Sequence, residues 1–191
     1  MTKPKRPLLY FKNAEEWRAW LHENHESDTG VDLVFYKVTS EQPSMRWEEA
    51  VQVAICYGWI DSTVRKIDED RRKQYFCKRN AKSVWSAVNK AYIEQLVQDG
   101  LMHKSGHKSI EIAKENGSWT ALDDVENGII PDDLQAAFKN NPKAFENYEN
   151  FARGYRKSYL YWLNQAKREA TRQKRIEQII SLCEDNSKPR S

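Results

Sequence analysis

Ala14, Trp17 and Leu21 fall on one face of a helix over 14–24, with Trp20 beside them. Asn13 predicts the N-cap, and Glu15 and Glu16 put negative charge where the helix dipole favours it. From Val31 to Val38 the period becomes two and both alternating sets are apolar, which predicts a strand buried on both sides. Ser44 predicts the cap of a second helix whose stripe is Trp47, Ala50, Val51, Ala54 and Ile55, with Gly58 as its stop.

Beyond Gly58 the pattern predicts two strands, Trp59 to Ile67 and Gln74 to Lys78, joined by the charged turn Asp68–Arg71. A third helix is predicted from Ser83 to Gly100, carrying Trp85, Val88, Tyr92 and Leu96, and a shorter one from Ser105 to Asn116. Residues 120–150 are acidic and broken by Gly128, Pro131 and Pro142. They predict a linker with two short helices, Asp132–Lys139 and Pro142–Phe151. From Arg153 to Glu184 the spacing is helical with a register shift near Ala170–Thr171, and residues 186–191 read as a frayed tail. The expected fold class is α+β: a small, mostly antiparallel sheet packed with helices over 1–119, then an all-helical segment over 120–191 packed on it, with 120–130 as an acidic linker. No internal repeat occurs.

Composition narrows the class. The chain has 191 residues, 39% of them hydrophobic, and seven are Trp. Each buried indole hides roughly 150–250 Å² of surface, so a packed core is expected and disorder is not. No apolar run approaches the ~18 residues of a membrane span. The basic start, Met1 to Pro7, leads only into Leu8–Phe11, too short for a signal peptide's apolar region. Cys56, Cys77 and Cys183 are odd in number and lack C-x-x-C spacing, which predicts free thiols in a reducing compartment, hence a cytoplasmic location. Net charge is +3, but residues 151–191 hold ten Lys or Arg against four acids. The positive charge is concentrated in the tail.

Three segments carry candidate chemistry. Cys56-Tyr57-Gly58-Trp59-Ile60-Asp61 brings a thiol, an indole and a carboxylate to one helix-to-strand turn. Asp61 would serve as base or cation partner and Cys56 as nucleophile, although a thiol near a helix C-terminus lacks the usual activation. Arg79 to Asn89 is a basic loop entering a helix, where Ser83, Trp85, Ser86 and Asn89 accompany Arg79 and Lys82 at a predicted anion site; plain capping by Ser83 is the alternative. In the tail, Arg168, Arg172 and Arg175 share one helix face beside Lys167, Thr171 and Lys174. That face suits a nucleic acid, an acidic partner, the chain's own 120–150 stretch, or simply water. His22 and His25 sit at a helix end, where imidazoles meet the last carbonyls. His103 and His107 lack a third ligand, so no metal and no cofactor is implied.

These segments, in order, resemble the bacteriocin-protection, YdeI/OmpD-associated family. The matching residues are Cys56–Asp61; Phe76, Arg79, Ser83, Trp85, Ser86 and Asn89; Gly100, Met102, Gly106, Ile110, Glu111, Ala113, Lys114, Gly117 and Trp119; and Trp162, Ala166, Lys167, Thr171, Arg172, Arg175 and Ile176. The chain departs from the family pattern at Lys78 and Ala81, where prolines are usual, and at Ala170, where an acid is. The resemblance implies a cytosolic bacterial protein tied to bacteriocin protection and envelope stress, without an assigned reaction. The leading expectation is a stress-response module binding an anion in a cleft lined by Trp59, Asp61, Arg79, Ser83, Trp85, Ser86 and Asn89, with Lys167, Thr171, Arg172 or Arg175 arriving from the tail. The alternatives are an enzyme using Asp61 or Cys56 with Arg79 and Lys167, and a nucleic-acid binder using the basic tail helix. The oligomeric state is not readable.

Overall fold

The period-two stretch forms the centre of the sheet. In the computed structural model, which describes residues 6–188, the order of elements is β1 (Leu8–Tyr10), α1 (Ala14–Asn24), β2 (Gly30–Tyr36), α2 (Trp47–Cys56), β3 (Trp59–Lys66), β4 (Arg71–Lys78), α3 (Ala87–Gln98) and α4 (Lys104–Glu115). A helical series follows: α5 (Asp123–Asn127), α6 (Asp132–Lys139), α7 (Pro142–Asn150), α8 (Arg153–Asn164) and α9 (Glu169–Glu184). The fold class is α+β. The chain divides into two compact units, Met1–Thr120 and Ala121–Ser191.

In the first unit the sheet order is β1-β2-β4-β3, with β1 parallel to β2 and the other pairs antiparallel. Register sets one face apolar: Val31 opposes Phe76, and Trp59, Leu33 and Phe35 complete a buried layer. Trp17 and Leu21 of α1 and the Ala50–Cys56 stripe of α2 join the same core. Trp17 also donates its indole N–H to the Ala50 carbonyl at 3.2 Å, tying the two helices. Asn13 caps α1 as its sequence predicts, accepting from the Glu16 amide at 2.9 Å.

Several boundaries differ from expectation, each for a local reason. β2 ends at Tyr36; the Lys37 amide still donates to the Asp70 carbonyl beyond the last paired residues, and Val38 past it is left 76% exposed. Ser44 does not cap α2. Its hydroxyl accepts from the Tyr36 amide, while Arg46 is the N-cap and its amide donates to the Glu49 carboxylate at 2.7 Å. α3 begins at Ala87 with Ser86 as cap, so Ser83 lies in the preceding loop and donates its amide to Asn80.

The second unit has its own core, built from residues such as Leu134, Phe138, Tyr148, Tyr159, Leu163 and Ile179. Within the stretch expected to be linker, Asp123–Asn127 is helical and closes on Gly128 at φ +72°. The long C-terminal helix breaks at residues 165–168, ahead of the expected Ala170–Thr171. Residues 1–5 of the basic start and 189–191 of the expected frayed tail lie outside the described residues. Among the described residues no helix is long and apolar enough to cross a membrane.

Candidate functional site

The turn from α2 to β3 is the hub of the first unit. Cys56, Tyr57 and Gly58 each offer a carbonyl at a helix end, where α2 leaves acceptors unsatisfied. The His103 amide donates to Cys56 at 3.1 Å, the Ser105 hydroxyl to Tyr57 at 3.1 Å, and the Arg79 amide to Gly58 at 2.9 Å. Gly58 has φ +72°, a conformation open to glycine, and Gly106 packs so closely that a Cβ there would lie 2.3 Å from the Cys56 oxygen. Trp59, the first residue of β3, is buried and donates its indole N–H to the His25 carbonyl at 3.2 Å.

These contacts open a cleft of about 320 Å³ walled by His25, Glu26, Tyr57, Gly58, Trp59, Lys78, Arg79, Ser105, Lys108, Ser109 and Ile112. Its charge comes from Lys78, Arg79 and Lys108 against the single carboxylate of Glu26. Arg79 is the most constrained. Its guanidinium lies 3.5 Å over the Trp85 ring and Nη1 donates to the Val84 carbonyl at 3.0 Å. Nε and Nη2 are buried with no hydrogen-bond partner among the described residues. Burial lowers its pKa to about 10, with Asp61 and Cys77 pulling the other way, so it stays cationic at neutral pH. Behind it, Trp85 packs 5.3 Å from Trp119, over which Lys90 and Lys114 also lie. Ser118 and Asn116 both donate to the Ala81 carbonyl, pinning the Arg79–Ser86 loop to the end of α4.

Of the expected site residues in this unit, Trp59 and Arg79 line the cleft. Trp85 is its backing, 1% exposed. Ser86 acts as a helix cap, with its hydroxyl accepting from the Asn89 amide, and Ser83 belongs to the Asn80 turn. Asp61 is held elsewhere: its Oδ2 accepts from the Trp47 indole at 3.1 Å and from the Gln74 amide. Cys56 is fully buried, and burial raises its pKa even though Arg18 approaches the sulfur at 3.4 Å. A thiol pushed up by desolvation is less available as thiolate. Burial likewise raises Cys77, and lifts Cys183 to about 11.

In the second unit two arginines of the expected basic face are engaged within the unit. Arg172 makes a two-pronged ion pair with Asp133, with Nη2 2.9 Å from Oδ1. Arg175 donates to the Trp162 carbonyl and lies 5.0 Å from that ring. Lys157 pairs with Glu126. Lys167, Arg168, Thr171 and Lys174 are exposed.

Residues 9–109 match the family described as a domain of unknown function, DUF8412. The chain belongs to that family. Residues 127–186 match the family described as bacteriocin-protection, YdeI or OmpD-associated, which bears out that resemblance and carries a bacteriocin-protection-type assignment. Of the four blocks behind the resemblance, the fourth lies inside this match. The first two fall within the DUF8412 region, and the third runs across its end. No curated protein and no solved structure gives a significant match.

The cleft thus sits in the DUF8412 region, apart from Ile112, and half of its chemistry was missed from the sequence. Lys78 was noted only as a departure from proline, and Lys108 and Ser109 lie on α4 with nothing local to mark them. His25 was placed correctly as a helix-end imidazole: its Nδ1 lies 2.8 Å from the Leu21 carbonyl. Its neighbours were not foreseen. The His25 ring is 4.8 Å from His103 and 5.1 Å from Tyr57, and Tyr57 stacks on His103. Burial, then His25, lowers the pKa of His103. Among the described residues no group of three or more His, Cys, Asp or Glu side chains is arranged to hold a metal ion.

Proposed function

We propose that the DUF8412 region is a binding module for a small anion, within a bacteriocin-protection-type protein. The supporting observation is the cleft wall, which includes Lys78, Arg79 and Lys108, and where Nε and Nη2 of Arg79 are buried without a partner among the described residues. A buried, charged donor left unpaired is costly, on the order of 1–3 kcal/mol or more. An anion that enters the cleft recovers that cost, and Lys78 and Lys108 at the rim add attraction. The raised thiol of Cys56 and the engaged carboxylate of Asp61 weigh against covalent or acid–base catalysis by those two groups.

Thermal-shift screening against inorganic phosphate and a panel of phosphorylated and carboxylated metabolites tests this. A ligand at a hundred times its Kd stabilises the folded state by about 2.7 kcal/mol, which for a chain of this size raises Tm by roughly 5–10 °C. Lys108→Glu reverses a charge at an exposed position and should abolish the shift while leaving the unliganded Tm near wild type. A panel that shifts neither protein, or both equally, rules the cleft out as the anion site.

A further inference from the structure

The imidazole of His25 carries the anion reading one step further. His25 closes α1, and the Leu21 carbonyl receives both its backbone N–H, at 2.9 Å, and its ring Nδ1, at 2.8 Å. A carbonyl only accepts, so Nδ1 bears the proton. A neutral imidazole has one N–H, which leaves Nε2 as a bare acceptor.

The ring has no freedom to turn. It is 7% exposed, it packs against His103 and Tyr57, and its own carbonyl is fixed by the Trp59 indole. On the free edge, Nε2 is buried without a hydrogen-bond partner among the described residues. The nearest charged group is the Glu26 carboxylate, 3.8 Å away, beyond hydrogen-bond reach and itself an acceptor. His25 and Glu26 both belong to the cleft lining and set two acceptors 3.8 Å apart, while Lys78, whose ammonium donates to the Glu26 carbonyl, Arg79 and Lys108 supply positive charge on the other residues of the lining. The complement of this arrangement is a molecule with a negative group for the cations and a donor for His25. Those three cations disfavour an ammonium as that donor and favour a neutral one such as a hydroxyl. The volume, about ten waters at ~30 Å³ each, suits a molecule of metabolite size.

We propose that His25 reads a hydroxyl on the bound anion, so that the ligand class is small hydroxylated anions: hydroxycarboxylates and phosphates of polyols or sugars. The proposal rests on the anion-binding reading above and adds the discriminating residue. His22, Lys104 and Arg18 complete the charged or titratable surroundings of this histidine cluster.

Calorimetric titration of the full chain near pH 8, where free imidazole is neutral, separates the two ideas. Two pairs of probes differ by a single hydroxyl: 2-hydroxypropyl phosphate against propyl phosphate, and lactate against propionate. In at least one pair the hydroxylated member is expected to bind about tenfold tighter or more, the size of one buried hydrogen bond. His25→Asn keeps an N–H for the Leu21 carbonyl but has no acceptor at the position of Nε2, and should bring that ratio to within about twofold. Equal affinity in the wild type overturns the role of His25 and leaves the anion site standing. No binding of any probe at about 10 mM overturns both. Should His25→Asn fail to fold, the imidazole ¹⁵N shifts of the wild type decide independently. A protonated Nδ1 with a bare Nε2 is expected, and a proton on Nε2 overturns the proposal.

Discussion

Gly106 shows how one missing atom holds the site together. A Cβ at this position would sit 2.3 Å from the Cys56 oxygen and 2.8 Å from its carbonyl carbon, both backbone atoms. Neither can swing aside like the end of a long side chain, so α4 would have to slide away from the end of α2. That movement would also stretch the His103–Cys56 and Ser105–Tyr57 hydrogen bonds, which set one wall of the cleft. Gly106→Ala is therefore expected to destabilise the chain by about 2–3 kcal/mol in urea unfolding, against typical overpacking costs of 1–3. An alanine variant as stable as wild type would show that the two helix ends have slack the geometry does not suggest. The residue stands out in the sequence only through family resemblance. Nothing in its spacing announces that it faces a carbonyl fifty positions earlier.

At the scale of elements, the pairing of α6 with α9 turns a charge pattern into a stability term. Arg172 holds the Asp133 carboxyl below the usual carboxylate range, chiefly through their direct hydrogen bonds. A carboxyl with a depressed folded pKa adds stability above its unfolded value near 4, and that contribution is lost as pH falls through the lower folded value. Both side chains are partly exposed, so the pair is worth about 0.5–1 kcal/mol despite its two-pronged geometry. Arg172→Ala should lower stability by that amount at pH 7, and by progressively less as pH falls through the depressed folded value of Asp133. A loss that persists unchanged into acid would assign the effect to packing of the arginine stem instead. The elements themselves were well marked wherever a strong apolar period met a clear cap, as in α1 with Asn13. They were misplaced where two hydroxyls competed for one helix start, as Ser83 did with Ser86. Asp123–Asn127 was hidden because three acidic residues and a glycine read as linker, and its one buried anchor, Val125, gives no period. For the same reason the cleft was half visible: Trp59 and Arg79 lie in dense local motifs, whereas His25 and Lys108 reach it only through tertiary packing.

Across the whole molecule, the basic tail and the acidic 120–150 stretch answer each other. The expected alternatives for that tail were a nucleic acid, an acidic partner or this very segment, and Arg172–Asp133 and Lys157–Glu126 are pairs of the last kind. Arg153 adds a bond to the Glu126 carbonyl, and Arg175 is spent on Trp162. On the early turns of α9 this leaves Lys167, Arg168 and Lys174 as exposed cations. Each phosphate neutralised on duplex DNA contributes roughly −0.9 to the slope of log K against log salt. These three exposed cations predict a slope no steeper than about −3 for binding through the start of α9, and affinity near the weak end of non-specific binding, about 10⁻⁴ M at physiological salt. Fluorescence anisotropy with a labelled duplex across a salt series measures this directly. A slope near −6 that drops on replacing Arg172 and Arg175 would mean that both leave their partners to meet phosphate. In that event the ion pair with Asp133 acts as a competitor for nucleic acid, and the neutral variant Asp133→Asn would tighten binding rather than merely destabilise the fold.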